Sequence, residues 1–382
     1  MKTCRVCGLE LFKEPLLEYE NMPKAAQFMP DANSLAQDRG IYLEVLQCSG
    51  CGLVQLGSGP VPYYRDVIRA AIFSEEMKSF RRTQFDEFVR NYGLKGKKVL
   101  EIGCGRGEYL SLLGRSGVDA HGLEHSEDSV KECKKLNLNV SPGFVENSGY
   151  EIRYAPFNAF LMLNFLEHLP NPNETLRGIY NNMADGAVGL VEVPNFDMIL
   201  RKKLFSEFVS DHLLYFTKST LRNTMTNNGF DVLECNEIWH DYIISIVVRK
   251  NRQLDMSDFH DYESKLKNAI DTFVNLFNGG KIAIWGASHQ AFTILALADL
   301  SEKIEFVVDS AAFKQGKYTP ATHIPIVSPE TLRSDPVDAV IVMAASYSDE
   351  VAMILRRDFD KRMHVAILRD YGLEYLKNGD AK

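Results

Sequence analysis

The segment Val99-Leu100-Glu101-Ile102-Gly103-Cys104-Gly105-Arg106-Gly107-Glu108-Tyr109-Leu110 constrains this chain more than any other, because it reads as a buried strand, a glycine turn and a helix in direct succession. Val99 to Ile102 is an apolar run of parallel-strand type, and Tyr109, Leu112 and Leu113 recur at helical spacing. Glycine at 103 and 105 lets the backbone pass close to a ligand, an approach that a side chain would block. About 20 residues after the first glycine, Asp119-Ala120-His121-Gly122-Leu123-Glu124 reads as a second strand ending in an acid, placed to accept both hydroxyls of a ribose. A turn of this kind alone is compatible with a nucleotide site and with a purely structural βα turn.

At 382 residues the chain is long enough for two or three domains, each with its own core. The net charge of −8 argues against a broad surface for nucleic acid. No apolar run approaches the roughly 20 residues of a membrane helix, and Met1-Lys2-Thr3-Cys4 does not open a signal peptide. The expectation is a cytoplasmic protein with neither nucleic acid nor membrane as partner. Two local basic clusters, Arg201-Lys202-Lys203 and Lys314 with Lys317, offer either a phosphate contact or a solvated face.

Seven cysteines in a cytoplasmic chain do not form a disulfide framework. Four of them fall into two C-x-x-C-G words, Cys4-Arg5-Val6-Cys7-Gly8 and Cys48-Ser49-Gly50-Cys51-Gly52. Such knuckles converge four thiolates on one ion, and each glycine permits the tight turn that points backbone N–H groups at sulfur. Cys4, Cys7, Cys48 and Cys51 are therefore the expected ligands of a closed, structural zinc. Cys104, Cys133 and Cys235 read as isolated packing residues.

Three domains are expected: a zinc-binding domain over 1–75, an α/β domain over 76–250 and a second Rossmann-like domain over 251–382. In the first, strand-like Ile41 to Leu46 leads into the second knuckle. Pro62-Tyr63-Tyr64-Arg65 then begins a connecting passage whose adjacent tyrosines either form a lid or seal an interface. In the second, strand and helix patterns alternate as a doubly wound parallel sheet requires, ending on an antiparallel-looking pair at Phe230–Cys235 and Tyr242–Val248. The last domain restarts with the strand Lys281 to Trp285 entering a small-residue turn, and its lack of G-x-G-x-x-G argues against dinucleotide binding there.

The E-x-G-x-G-x-G turn resembles the first motif of class I S-adenosylmethionine (SAM) methyltransferases. That resemblance makes Glu101, Gly103, Gly105 and Gly107 the cofactor-binding turn and Glu124 the ribose acid. The later run Ala159 to Pro172 resembles the strand under the cofactor's methionine end, which brings in Asn164, Phe165 and, near the acceptor, His168. Zinc knuckles, SAM domain and Rossmann-like tail in that order resemble the sugar C-methyltransferases that alkylate nucleotide-linked keto-deoxysugars. The distinctive carboxyl-terminal words are Lys314-Gln315-Gly316-Lys317-Tyr318, Thr322-His323-Ile324-Pro325-Ile326 and Tyr347-Ser348-Asp349-Glu350.

The resemblance implies a small-molecule, nucleotide-linked sugar as substrate, SAM as cofactor and a structural zinc. It also locates the chemistry. Those enzymes carry tyrosine, histidine, glutamate and histidine before an apolar stretch with Tyr-Phe; here the row reads Val209-Ser210-Asp211-His212 before Leu213 to Phe216. His212 is the expected base, with Asp211 adjusting it and Tyr63 and Tyr64 closing over the sugar. Carbon methylation needs a proton taken from beside a carbonyl and a stabilised enolate oxygen. The departures at Val209 and Ser210 remove two donors, so an O- or N-methyltransferase is the alternative. A zinc-containing nucleic-acid regulator and an oxidoreductase built on the last domain are the alternatives of other classes.

Overall fold

The computed structural model describes residues 3–27, 29–66 and 74–376. They belong to two compact units, Met1–Gln253 and Leu254–Lys382. Among the described residues no helix is long and apolar enough to cross a membrane.

The first unit opens with β1 (Leu17–Met22), β2 (Ile41–Gln47) and β3 (Val54–Leu56), which pair antiparallel in that order. The helix α1 (Glu75–Asn91) follows; Ser74 caps it by accepting from the Met77 N–H, and Glu75 and Glu76 complement its dipole. Alternation then sets in with β4 (Lys98–Ile102), α2 (Glu108–Arg115), β5 (Asp119–Glu124), α3 (Glu127–Lys135), β6 (Val140–Pro142), β7 (Phe157–Leu163), α4 (Pro172–Asn181) and β8 (Met183–Pro194). After α5 (Phe196–Lys202) come β9 (Leu214–Tyr215), α6 (Lys218–Asn227), β10 (Phe230–Ile238) and β11 (Ile243–Lys250).

A seven-stranded sheet runs in the order β10-β11-β8-β7-β4-β5-β6. Strands β4 to β8 are parallel and β11 is antiparallel to both β8 and β10. β4 and β7 are buried almost throughout, which is why they read as continuous apolar runs. Their carboxyl-terminal ends carry the glycine turn and Asn164, so the order β4 next to β7 brings those two segments to one edge.

The amino-terminal sheet is completed from far along the chain. β9 pairs antiparallel with β3, Val54 opposite Tyr215 and Gln55 opposite Leu214. Leu43, Val45 and Leu56 share their core with Phe196, Phe208 and Tyr215. Three short strands leave an open edge and an apolar face, and residues 196–215 cover both.

The second unit begins with α7 (Ser257–Asn275), then β12 (Ile282–Trp285), α8 (His289–Leu297), β13 (Phe306–Val308), β14 (Ile326–Val327), α9 (Thr331–Ser334), β15 (Ala339–Val342), α10 (Ser348–Asp358), β16 (His364–Arg369) and β17 (Gly372–Leu376). Its sheet order is β14-β13-β12-β15-β16-β17, parallel except for β17. Lys314 and Arg201, candidates for a phosphate contact, are each paired with an acid instead: Lys314 with Asp309 at 2.8 Å and Arg201 with Glu237 at 2.7 Å.

Candidate active site

Gly103, Gly105 and Gly107 all take left-handed backbone conformations, at φ 66°, 56° and 87°. They do different work. A Cβ on Gly103 would come within 3.4 Å of the Phe165 ring, so this glycine forms the floor of a cleft. A Cβ on Gly107 would strike Leu138 at 2.3 Å and Cys133 at 3.1 Å, so its small size makes room for these two side chains. Cys104 and Cys133, read as isolated, both direct their thiols at the Gly105 carbonyl, 3.9 and 3.3 Å away. Glu101 is buried in mid-strand, its backbone in register with Gly122 and Leu161.

Glu124, at the end of β5, accepts from the Gly105 N–H at 2.7 Å and the Ser126 N–H at 2.9 Å. Burial holds its carboxyl above the usual carboxylate range. The acid thus shapes the turn that it was expected to serve. Glu124 and Gly103 line a cleft with Phe144, Phe165, His125 and Arg65. Phe144 meets Phe165 edge-on at 6.0 Å, and Arg65 lies 5.3 Å over Phe144 while paired with Glu146 at 2.8 Å. Phe144, His125 and Arg65 carry no motif and were not anticipated as site residues. Asn164, exposed and at φ 49°, directly follows β7 and donates its N–H to the Glu192 carbonyl at 2.8 Å.

Around His168 the structure gathers a buried polar group. Its Nδ1 lies 2.8 Å from the Asp211 carbonyl oxygen, which fixes a donor at Nδ1 and leaves Nε2 as the lone-pair nitrogen of the neutral ring. His212 meets it edge-on, ring centres 4.8 Å apart. The Glu167 carboxyl is 3.7 Å from His168 Nε2, and the Glu167 carbonyl accepts from the Leu213 N–H at 2.8 Å. Burial pushes Glu167 up to about 8. It lowers His168, and burial together with His168 lowers His212 to about 3. All three are therefore neutral near pH 7.

Asp211 does not adjust His212 as expected. Its carboxylate accepts from the Tyr63 hydroxyl at 2.9 and 3.0 Å and from the Ala26 N–H at 3.1 Å. Burial and this carboxylate push the Tyr63 hydroxyl up to about 12. Only the Asp211 backbone reaches the histidines, through His168. The two adjacent tyrosines also part: Tyr64 packs edge-on against Phe144 at 5.8 Å and accepts from Arg65 Nε. Tyr63 thus faces the histidine cluster's neighbour, and Tyr64 the cleft wall. Asn195, just after β8, caps α5 by accepting from the Met198 N–H.

The four knuckle cysteines converge. Their Sγ atoms all lie within 4.8 Å of one another, with Cys4 to Cys51 at 3.6 Å and Cys7 to Cys48 at 3.3 Å. A tetrahedron of 2.3 Å zinc–sulfur bonds has edges of about 3.8 Å, so the donor set and its size fit zinc. Backbone N–H groups of Val6, Cys7, Gly50 and Cys51 point at the sulfurs of Cys4 and Cys48, and Gly8 and Gly52 make the turns at φ 76° and 77°. The first knuckle is tied to the His168 segment: Arg5 donates to the Pro170 carbonyl at 3.2 Å, and Asn173 donates to the Val6 carbonyl at 2.6 Å.

Comparison with known proteins bears on this geometry. Residues 75–235 match the methyltransferase domain family, and residues 249–364 match the C-methyltransferase C-terminal domain family. Over 384 residues the chain is 23% identical to C-methyltransferase NovU of Streptomyces niveus, spanning 91% of this chain and 90% of that one. A ubiquinone biosynthesis O-methyltransferase of Shewanella sp. (strain ANA-3) is 28% identical over 99 residues, which is 25% of this chain and 42% of that one. Among solved structures, the plantazolicin methyltransferase BpumL in complex with SAH aligns at a TM-score of 0.39 and 16% identity, over 45% of this chain and 86% of that one.

Proposed function

Because the chain is a SAM-dependent methyltransferase of the C-methyltransferase family, we propose that it methylates a carbon of a sugar-like, nucleotide-linked acceptor. The observation that carries this reading is the cluster of His168, His212, Tyr63 and Asp211 in the same unit as the glycine cleft. Gly103, Gly105, Glu124, Asn164 and Phe165 hold the cofactor, whose sulfonium supplies an electrophilic methyl group when bound. His212 takes the proton from the carbon beside the acceptor's carbonyl. Burial beside His168 leaves the imidazole in the free-base form across the neutral range but also makes it a weak base, so the abstraction draws on the acidity of the carbon beside the carbonyl and on acceptor binding to raise the imidazole's proton affinity. Tyr63, anchored on Asp211, offers the sugar a polar hydroxyl where Val209 and Ser210 offer none. Cys4, Cys7, Cys48 and Cys51 hold a zinc that is structural, since four thiolates leave no open position. We place the chain in the cytoplasm, where its seven cysteines, four of them proposed as zinc ligands, need form no disulfide framework.

Carbon chemistry has its own signature. With SAH in place of SAM, the enzyme should exchange the α-proton of a nucleotide-linked ketosugar with deuterated solvent, and His212→Asn should abolish the exchange. Absent exchange together with unchanged turnover in His212→Asn rejects carbon methylation by this residue. That result favours an O- or N-methyltransferase, for which proximity alone carries much of the rate.

A further inference from the structure

We propose that Glu167, His168 and His212 form a site for a divalent transition ion such as Zn²⁺, Co²⁺ or Ni²⁺, apart from the four thiols, and that filling it silences the enzyme; the second clause rests on His212 acting as the base. One donor atom from each of the three lies within 4.8 Å of the other two. Glu167 and His168 are buried and His212 is half-buried, so the way in leads past His212.

The Glu167 carboxyl is the group that calls for a ligand. Two other buried acids of this unit are answered internally: Glu192 is paired with Arg81 of α1 at 2.6 Å, and Glu124 accepts two backbone N–H groups. Glu167 is 1% exposed, and its Oε2 has no hydrogen-bond partner among the described residues. A buried oxygen left in that state carries a desolvation cost that a bound cation offsets.

Beside it stands a histidine held as a ligand would be. His168 Nδ1 donates to the Asp211 carbonyl at 2.8 Å, which fixes the ring and leaves the Nε2 lone pair 3.7 Å from the Glu167 carboxyl. A backbone carbonyl on the far nitrogen is the common support of a metal-binding imidazole. The segment carrying His212 is pinned on both sides, by that contact at Asp211 and by the Leu213 N–H on the Glu167 carbonyl at 2.8 Å. An ion bonded at about 2.0–2.1 Å holds its donors about 3.3 Å apart in a tetrahedron, close to the 3.7 Å between Glu167 and His168, and rotation of the half-buried His212 ring closes the rest. Two imidazoles and one carboxylate favour such an ion over Mg²⁺ or Ca²⁺, which take oxygen donors. The ion takes the place of the carboxyl proton, which leaves to solvent. Once bonded to it, the His212 lone pair is no longer free to accept a proton.

The test titrates the intact protein with Co²⁺, read by its visible absorption, and follows α-proton exchange of a nucleotide-linked ketosugar with deuterated solvent, SAH present, in the same samples. Cobalt on nitrogen and oxygen shows d–d bands without the thiolate charge transfer that exchange into the cysteine site would add. One such equivalent should bind, and as it fills the exchange should fall by about 100-fold or more, the worth of a general base. Mg²⁺ at the same concentration should do neither. Glu167→Gln and His168→Gln, made separately, should each weaken cobalt by at least about 10-fold, the lower end for changes even outside a metal's own ligands. No added equivalent, a thiolate spectrum only, or unchanged affinity in both variants overturns the site and leaves the His212 reading standing, provided that the protein without cobalt exchanges. Bound cobalt with undiminished exchange overturns the silencing and His212 as base together. Protein that fails to exchange before cobalt is added rejects the base reading, while the cobalt spectrum still decides the site.

Discussion

The two units repeat one device and diverge in how they finish it. In each, the central strand (β4 or β12) is flanked by parallel strands in the same order, and an acid at the end of the next strand reaches back to the turn. Glu124 accepts from Gly105 and Ser126; Asp309 accepts from Ala287 at 2.9 Å and Ala311 at 2.8 Å. In the second unit Lys314 then donates to Asp309 and to the Ala287 carbonyl, so the acid is already neutralised by its own chain. The turn differs too. At Gly286 a Cβ would strike the Met343 carbonyl at 2.5 Å, so this glycine answers to a neighbouring strand, whereas Gly103 lines a cleft with the Phe165 ring beside it. An acid reaching back to a turn is therefore a way of building the fold. An open glycine and an acid without an internal cation are what set the proposed cofactor turn apart from it.

Four measurements would break or sharpen that contrast. The largest concerns the proposed zinc, for which the four converging thiols of the first unit are the candidate site. The double variant Cys4→Ser, Cys48→Ser should lose zinc by elemental analysis, and the unfolding transition of the first unit should collapse while that of the second persists. Structural zinc supplies about 10–16 kcal/mol in small zinc peptides, enough to unfold a unit that depends on it. Unchanged zinc content would reject the assignment.

Next comes the buried acid Glu167, raised from 4.5 to about 8. Below pH 4.5 it is protonated in both folded and unfolded chain, and its contribution is fully present. Between 4.5 and about 8 the unfolded chain releases the proton and the folded one keeps it, so stability falls as pH rises. Glu167→Gln should remove a slope of up to about 1.4 kcal/mol per pH unit, read from urea melts at mildly acidic and mildly alkaline pH. Parallel curves for variant and wild type would mean that the carboxyl ionises in place.

The third measurement sets the two acids side by side. Glu124→Ala should weaken SAM by about 1.5–3 kcal/mol, the cost of losing hydrogen bonds to a charged group, and Asp309→Ala should leave its affinity unchanged. Equal losses would erase the distinction between the units. The smallest effect is expected at Lys314, whose side chain is 30% exposed. Lys314→Met should lower the stability of the second unit by no more than about 1 kcal/mol, because solvent screens the pair.

Local convergence of side chains was legible in the sequence; long-range partnership was not. The knuckles, the glycine turn and Glu124 lie within short words whose spacing carries their geometry, and those residues converge as the words imply. Asp211 was expected beside His212 because the two are adjacent, yet its side chain meets Tyr63, 148 positions away. Adjacent side chains in a turn diverge, and no periodicity announces where each one goes. Arg81 was hidden for another reason. An arginine next to Arg82 on an amphipathic helix reads as solvated, and only the burial of α1 against Glu192 turns it inward. The cleft residues Phe144 and Arg65 were missed because they come from a loop and a connecting passage without a pattern.

The pairing of β3 with β9 has a consequence for how the chain is made. The amino-terminal sheet must wait for a strand that leaves the ribosome roughly 160 residues later, on the order of 10 to 30 s at bacterial and eukaryotic translation speeds. During that interval the edge of β3 and the apolar side chains of Leu43, Val45 and Leu56 have no cover. A metal taken up early by the two knuckles would hold β2 and β3 in register through the wait. With the knuckles filled by zinc as proposed, ion supply during synthesis would bear on the yield of native chain.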